Sequence, residues 1–299
     1  GESEHRRIKS FYSRTQKGNH VRGIAKHVDR ERTLHQTREA LKRRPHSKEP
    51  TPEPEPEEKE KIGPTLPEVH YHISQDVKNK IDILKWLSDN RGDAALSNFL
   101  PKLKDHLLTR FLGPRDSTNP YTKQDHLQVN IVNNRLYRHK VLRVNYTTYD
   151  MRRCQDVINP RTHGDIMVLA KDFDKGATEP THPYWYARVI GIFHATVGIK
   201  KPNTPGTYEV SKVDFLFVRW FGLDVSAKAG WKAKRLYQVG FLDGNDPEAF
   251  GFVDPEEVIR AIHLIPRFSL GRTNHLLGRS IARSFTEQNE DWDRYYVGK

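Results

Sequence analysis

The stretch from His182 to Phe221 most constrains what this chain can fold into. It reads HPYWYARVIGIFHATVG, then a loop rich in Pro, Asn and Gly, then VDFLFVRWF. Each apolar run is short, rich in β-branched and aromatic residues, and bounded by Pro, Gly or Asp. That is the pattern of a strand, not of a helix. Two strands this apolar need cover on at least one face, so they are expected to be neighbours inside a compact β domain. Each carries one embedded arginine, Arg188 and Arg219.

From Val129 onward the whole pattern is β. Strands are expected at Val129 to Val132, Lys140 to Thr148, Asp165 to Leu169, Tyr184 to Phe193, Val213 to Phe221, Arg235 to Val239 and Ile262 to Pro266. The turn signals between them are NN, NP, HG, PNTPG and DGNDP. Asp254 to Arg260 suits one helical turn, with Asp254 as N-cap and Pro255 at the first position. Upstream, Ile81, Leu84 and Leu87 mark one helical face, and Leu96, Phe99, Leu100, Leu103, Leu107 and Phe111 a second. Pro101 belongs in a first turn, so two short helices are expected, the second ending at Gly113-Pro114. Many short strands with little helix predict a mainly β fold with some α, a small β-barrel preceded by a short helical section.

The first 67 residues are of another kind. Asn19 to Arg44 suits a helix with the incomplete apolar stripe Val21, Ile24, Val28, Leu34 and Leu41, ringed by Arg22, Lys26, Arg30, Arg32, Arg38, Lys42, Arg43 and Arg44. Such a helix lies on a phosphate backbone, or is simply solvated. EPTPEPEPEEKEKIGPTLP follows, a Pro/Glu spacer that cannot bury a core. The expected organisation is a basic helical segment (1–48), a linker (49–67), a helical section (68–128), a barrel (129–268) and an Arg-rich, loop-like C-terminal extension (269–299). The chain opens GESEHRRIKS without an initiator Met and reads as a piece of something longer.

The formal charge of +12 suggests a polyanionic partner; the competing explanation is solubility alone. Cys154 is the only cysteine, which leaves no disulfide and no thiolate zinc site. No apolar run approaches the roughly 18 residues of a membrane span, so no membrane partner is expected.

Two resemblances attach to these residues. The order GDIMVL, PYWYARVIGIF, DFLFVRWFG, KRLYQV and VDPEEVIRAIHLIP resembles the bromo-adjacent homology domain over about Asp165 to Phe268. Ala187-Arg188-Val189 and Val218-Arg219-Trp220-Phe221 carry most of that likeness. The family's usual Arg-Pro after Trp-Phe is replaced here by Gly222-Leu223-Asp224. The longer strings FLPKLKDHLLTRFLG, HKVLRVNYTTYDMRRCQDVINPRTHGDIMVL, GWKAKRLYQVGF, AFGFVDPEEVIRAIHLIP, LLGRSIAR and EDWDRYYV resemble the C-terminal region of proteins encoded by fungal Plavaka-group DNA transposons, which are CACTA-like elements. That likeness spans roughly Tyr71 to Val297. It implies a nuclear accessory module whose transposase catalytic domain lies upstream, without cut-and-join chemistry of its own.

Little in the residues argues for catalysis. Metal-dependent strand transfer needs two or three converging carboxylates, and Asp150, Asp156 and Asp165 are the best local set; each also suits a cap or an Asx turn. His70 and His72 form an HxH pair, with His163 and His182 elsewhere, but no third and fourth zinc ligand stands out. Cys154 has Arg152 and Arg153 beside it but no His/Asn framework. Motifs for a nucleophile elbow, a dinucleotide or a P-loop are absent, so no cofactor is expected.

Binding is better represented. Lys228, Lys232, Lys234 and Arg235 follow the RWF strand as one basic loop, and Arg152, Arg153 and Arg161 form a second basic patch. Tyr184, Tyr186, Trp220 and Trp231 are candidates for an aromatic cage around a methylated ammonium, against the alternative that they are core. Strict alternation puts Trp185, Ala187, Val189 and Phe193 on one face, with Tyr184, Tyr186, Arg188 and Ile190 on the other. The expected function is a non-catalytic accessory module that binds DNA or chromatin. The rivals are a metal-dependent transposase or nuclease core, and a protein-docking module for an upstream transposase domain.

Overall fold

A computed structural model describes residues 66, 68–115, 120–170, 182–200, 208–230, 232–283 and 289–298, together with Val28, Arg30 and Thr33. The chain divides into two compact units, Gly1–Glu58 and Lys59–Lys299. In the first, Val28, Arg30 and Thr33 are helical and Arg30 is exposed. The other residues expected on the basic helix, and all of the Pro/Glu linker except Leu66 (exposed), lie outside the described residues.

The second unit is mainly β with few helices. It begins with β1 (Tyr71–Ile73), β2 (Lys80–Asp82) and helices α1 (Ile83–Asp89), α2 (Phe99–Leu112) and α3 (Lys123–His126). Then come β3 (Val129–Ile131), β4 (Arg135–His139), β5 (Leu142–Thr147), β6 (Arg153–Ile158), β7 (Asp165–Leu169), β8 (Tyr184–Lys200) and β9 (Tyr208–Leu223). The chain closes with β10 (Gln238–Phe241), β11 (Phe250–Val253), β12 (Val258–Ala261), β13 (His263–Pro266), β14 (Arg272–Thr273), β15 (Asp291–Trp292) and β16 (Tyr295–Gly298).

The β8–β9 hairpin organises everything else. Its strands pair antiparallel from Tyr186–Phe221 out to Lys200–Tyr208. The first half of β8 takes β7 on its other edge, and the second half takes β4 and β3. β9 divides likewise between β11 and β10. The main path runs β12-β7-β8-β9-β10-β16-β13, and its two end strands are separated in the chain only by Ile262. Ile262 donates its N–H to Asp165 O at 2.9 Å. A separate sheet, β1-β5-β6, covers one face.

The parity of β8 changes midway. Val189 faces Val218 and Gly191 faces Phe217, so Ile190 is an extra, bulged residue. A bulge of one residue exchanges the two faces beyond it. Phe193 therefore packs with Ile190 in the helix-covered cluster, while Ile192 joins Val189 and Ala187. Uniform alternation, which groups Phe193 with Val189, fails at this point. Gly191 permits the bulge: a Cβ there would lie 2.4 Å from a Phe193 ring carbon.

Three apolar clusters result. α1 and α2 lay Trp86, Phe99, Leu103 and Leu107 on Phe193, Phe215 and Phe217. Phe99 meets both Phe217 and Phe252 edge-on, with ring centroids 5.1 Å apart in each case. The opposite face packs Ile166, Val168, Ala187, Val189, Ile192, Leu216 and Val218 under β1, β5 and β6. The third cluster gathers Met167, Tyr186, Phe221, Val239, Phe241, Leu264, Tyr295 and Val297.

Several local expectations need correction. Asp254 does cap a short turn, accepting from Glu256 N at 3.0 Å, but the turn stops at Glu257 and Val258–Ala261 is strand β12. Pairing with β7 overrides the helical pattern there. The C-terminal extension is not merely loop: β16 inserts between β10 and β13. The stretch read as helical also supplies β1 to β5 and β2 to β4.

Candidate nucleic-acid interface

Between β9 and β10 the chain makes an excursion, Asp224 to Tyr237, that carries the basic loop. Local hydrogen bonds give it a fixed base. Asp224 N donates to Gln238 O at 2.9 Å. The Asp224 carboxylate accepts from Ser226 Oγ at 2.6 Å and Ser226 N at 3.1 Å. These bonds, the hydroxyl one foremost, hold its carboxyl below the usual carboxylate range. Farther out, Gly230 and Arg235 pair across the loop. Gly230 has φ +93°, and a Cβ on it would sit 2.8 Å from Tyr237 Oη, so the pinch needs glycine.

Lys228, Lys232, Lys234 and Arg235 are all exposed on this loop, and none has a carboxylate within ion-pair distance among the described residues. The second patch differs. Arg152 Nε lies 2.9 Å from Asp150, and Arg153 Nη1 lies 3.3 Å from Glu68. Arg161 is exposed. Arg152 and Arg153 thus each have a carboxylate within ion-pair distance, whereas the loop cations have none among the described residues. Arg22, Lys26, Arg38, Arg43 and Arg44 lie outside the described residues.

Of the expected aromatic cage, the described residues Tyr184, Tyr186 and Trp220 are not all brought together: Trp220 stands apart from the two tyrosines. Trp220 stands opposite Ala187 and meets Trp185 edge-on, with centroids 5.8 Å apart, on the sheet face under β1, β5 and β6. Tyr186 is opposite Phe221 and buried in the third cluster. Its burial pushes the phenol pKa up. Tyr184 and Tyr186 gather around His182 instead, whose Nε2 is 2.8 Å from Tyr186 Oη and whose ring is 4.2 Å from Tyr237. Trp231 lies outside the described residues.

The three aspartates do not converge either. Asp150 accepts from the Thr148 hydroxyl at an exposed hairpin tip. Asp156 accepts from Tyr146 Oη at 3.1 Å and from Ala261 N at 3.0 Å. Asp165 grips Arg188 through both oxygens, at 2.7 and 3.1 Å. His70 and His72 contact different backbone carbonyls, those of Val258 and Leu66, while His163 and Cys154 are exposed. Among the described residues, no three His, Cys, Asp or Glu side chains are placed to share a metal ion. Among the same residues, no helix is long and apolar enough to cross a membrane.

Sequence reasoning missed what the embedded arginines do. Arg188 and Arg219 face each other across the hairpin, on the same sheet face. Arg219 donates to both oxygens of Asp291, at 3.0 and 2.9 Å, and Arg283 takes the same two oxygens at 2.8 and 3.1 Å. All three side chains are at most 3% exposed. Both opposed arginines lie over the Phe241 ring, whose centroid is 3.8 Å from the Arg219 guanidinium carbon and 5.0 Å from that of Arg188. This buried cluster pins the C-terminal strands to β9 and fixes the platform from which the basic loop departs. No family model, no curated protein and no solved structure matches this chain.

Proposed function

We propose that this chain is a non-catalytic accessory module of a transposon-encoded protein, acting in the nucleus, which binds DNA electrostatically through the Asp224–Tyr237 loop. The observation that carries the reading is the loop itself: four exposed cations on a locally bonded frame, with no carboxylate within ion-pair distance of them among the described residues. Cations carried on a locally bonded backbone release counterions from a polyanion at a reduced backbone ordering cost. The transposon assignment rests on the quoted Plavaka-like strings from Tyr71 to Val297. The bromo-adjacent-homology reading rests on the strand order: taken as one strand bent at Ile262, β12 and β13 would link β7 to β16 and make a six-stranded small barrel around the third cluster. The loop joins β9 to β10.

A gel shift on random-sequence duplex DNA tests the reading. Replacing Lys228, Lys232, Lys234 and Arg235 with Ala is expected to weaken binding strongly. Replacing Arg152 and Arg153 is expected to do much less, because each already has a carboxylate. Equal, small effects from both variants would remove the loop from the argument. The protein-docking reading would then take its place.

A further inference from the structure

Beside the basic loop lies an aromatic turn that the function above does not use. After β13 the chain makes a 3-10 turn, Phe268–Leu270, and Phe268 is 70% exposed. Its ring is nevertheless held: it meets Trp292 edge-on, with centroids 5.1 Å apart and planes at 84°. Trp292 is backed in turn by Arg272, its partner across β14–β15, whose guanidinium carbon lies 4.8 Å over the indole. An edge-to-face contact occupies little of a ring, so Phe268 keeps most of its surface open while its orientation is fixed.

Contacts through Arg267 and Arg294 tie the turn to the base of the loop. Arg267, just before Phe268, donates its backbone N–H to Arg294 O at 2.9 Å and its Nη1 to Gln238 Oε1 at 2.7 Å. Gln238 opens β10, directly after the loop. Arg294 Nε lies 3.8 Å from Asp224, which begins it. The nearby carboxylates are already engaged: Glu290 lies 4.0 Å from Arg272 and Asp293 3.5 Å from Arg294. A presented ring close to the base of a loop whose four cations have no carboxylate within ion-pair distance among the described residues matches one partner chemistry, a chain of phosphates with unpaired bases. Bases in a duplex have both faces covered by their neighbours; an unpaired base has a free face to place on a ring.

We propose that Phe268, braced by Trp292 and Arg272, is a stacking platform for an unpaired base of single-stranded nucleic acid whose backbone crosses the basic loop. This inference rests on the loop reading above and adds the class of nucleic acid. No base identity is selected, because every base has a π face.

The experiment is fluorescence anisotropy on the full chain with mixed-sequence oligonucleotides of about 15 nucleotides. Three probes are used: single-stranded DNA, single-stranded RNA and duplex DNA. Phe268→Ala is expected to weaken both single-strand probes by about 5- to 150-fold, the range found for one stacked base. Duplex affinity should stay within about twofold. Phe268→Trp should retain single-strand binding. Loss on one single-strand probe alone keeps the platform and assigns it to that sugar. The four-residue loop variant should weaken all three probes. Unchanged single-strand affinity in Phe268→Ala, with the loop variant still defective, overturns the platform and leaves the loop reading intact. Equal loss on single-strand and duplex probes also overturns it. No effect from either variant overturns both. Unchanged thermal melting of Phe268→Ala, expected for so exposed a side chain, separates stacking from folding.

Discussion

Replacing Asp291 should damage this fold more than any other single substitution of a charged residue. Its carboxylate is shared by Arg219 and Arg283 through four hydrogen bonds of 2.8 to 3.1 Å, with all three side chains at most 3% exposed. Two unit charges about 4 Å apart attract by about 4 kcal/mol at an effective dielectric of about 20. Asp291→Ala removes two such attractions and leaves two buried guanidiniums facing each other. Arg219 has little else to turn to: its Nε has no hydrogen-bond partner among the described residues, and its remaining close contact is the Phe241 ring. Not desolvating the carboxylate offsets part of the loss. Breaking a buried pair typically costs about 3–5 kcal/mol, and the shared carboxylate places this case toward the upper end. For a domain of this size that corresponds to a fall in Tm of about 6–20 °C. Differential scanning calorimetry of the full chain reads it directly. Asp291→Asn should lose nearly as much, since an amide cannot serve two cations. Replacing Arg219, Arg283 and Asp291 together with apolar residues of similar volume should recover most of the loss. A fall in Tm below about 3 °C for Asp291→Ala would refute the reasoning, because it would mean water already solvates the cluster.

Two further outcomes follow from geometry. His194 and His139 are buried, with His194 Nδ1 2.6 Å from His139 Nε2, and burial foremost, with Lys212 and His139 adding, pushes the His194 pKa down to about 3. The unfolded chain therefore takes up this proton first as pH falls below about 6.5, and stability should drop by up to about 1.4 kcal/mol per pH unit between pH 6.5 and 3. Asp214, opposite His194, has its carboxyl pushed up by burial and contributes with the opposite sign, losing stability as pH rises through its native value. Urea midpoints across that range, with His194→Gln flattening the slope, check this; an unchanged slope would contradict it. Gly191→Ala should cost about 1–3 kcal/mol by driving a methyl into the Phe193 ring, and a urea midpoint equal to wild type would show that the bulge can shift.

The central hairpin is legible in sequence because two apolar runs rich in β-branched and aromatic residues, with Pro/Asn/Gly between them, have few alternatives. The Ile190 bulge was missed, although a glycine inside a strand pattern is its usual signal. Strands β1 and β2 have three residues each, too few to show a period, and β16 depends on partners elsewhere in the chain. Arg219 stood out as a charge inside an apolar run, yet its partner lies 72 residues away. No local pattern identifies such a pair. The basic loop and the Arg152–Arg153 patch read alike for a similar reason: what separates them is whether a carboxylate folds against them, and Glu68 reaches Arg153 from 85 residues away. Phe268 carries no local signal, because its bracing by Trp292 and Arg272 forms only when β14 and β15 pair.

The central claim is that the Asp224–Tyr237 loop is where this chain meets a polyanion. The salt dependence of duplex DNA affinity tests it most directly. Each phosphate contact contributes about −0.9 to the slope of log affinity against log salt, so four loop contacts contribute about −3.6. The account predicts that replacing Lys228, Lys232, Lys234 and Arg235 with Ala flattens the measured slope by roughly that amount. An unchanged slope, with unchanged affinity, would contradict it.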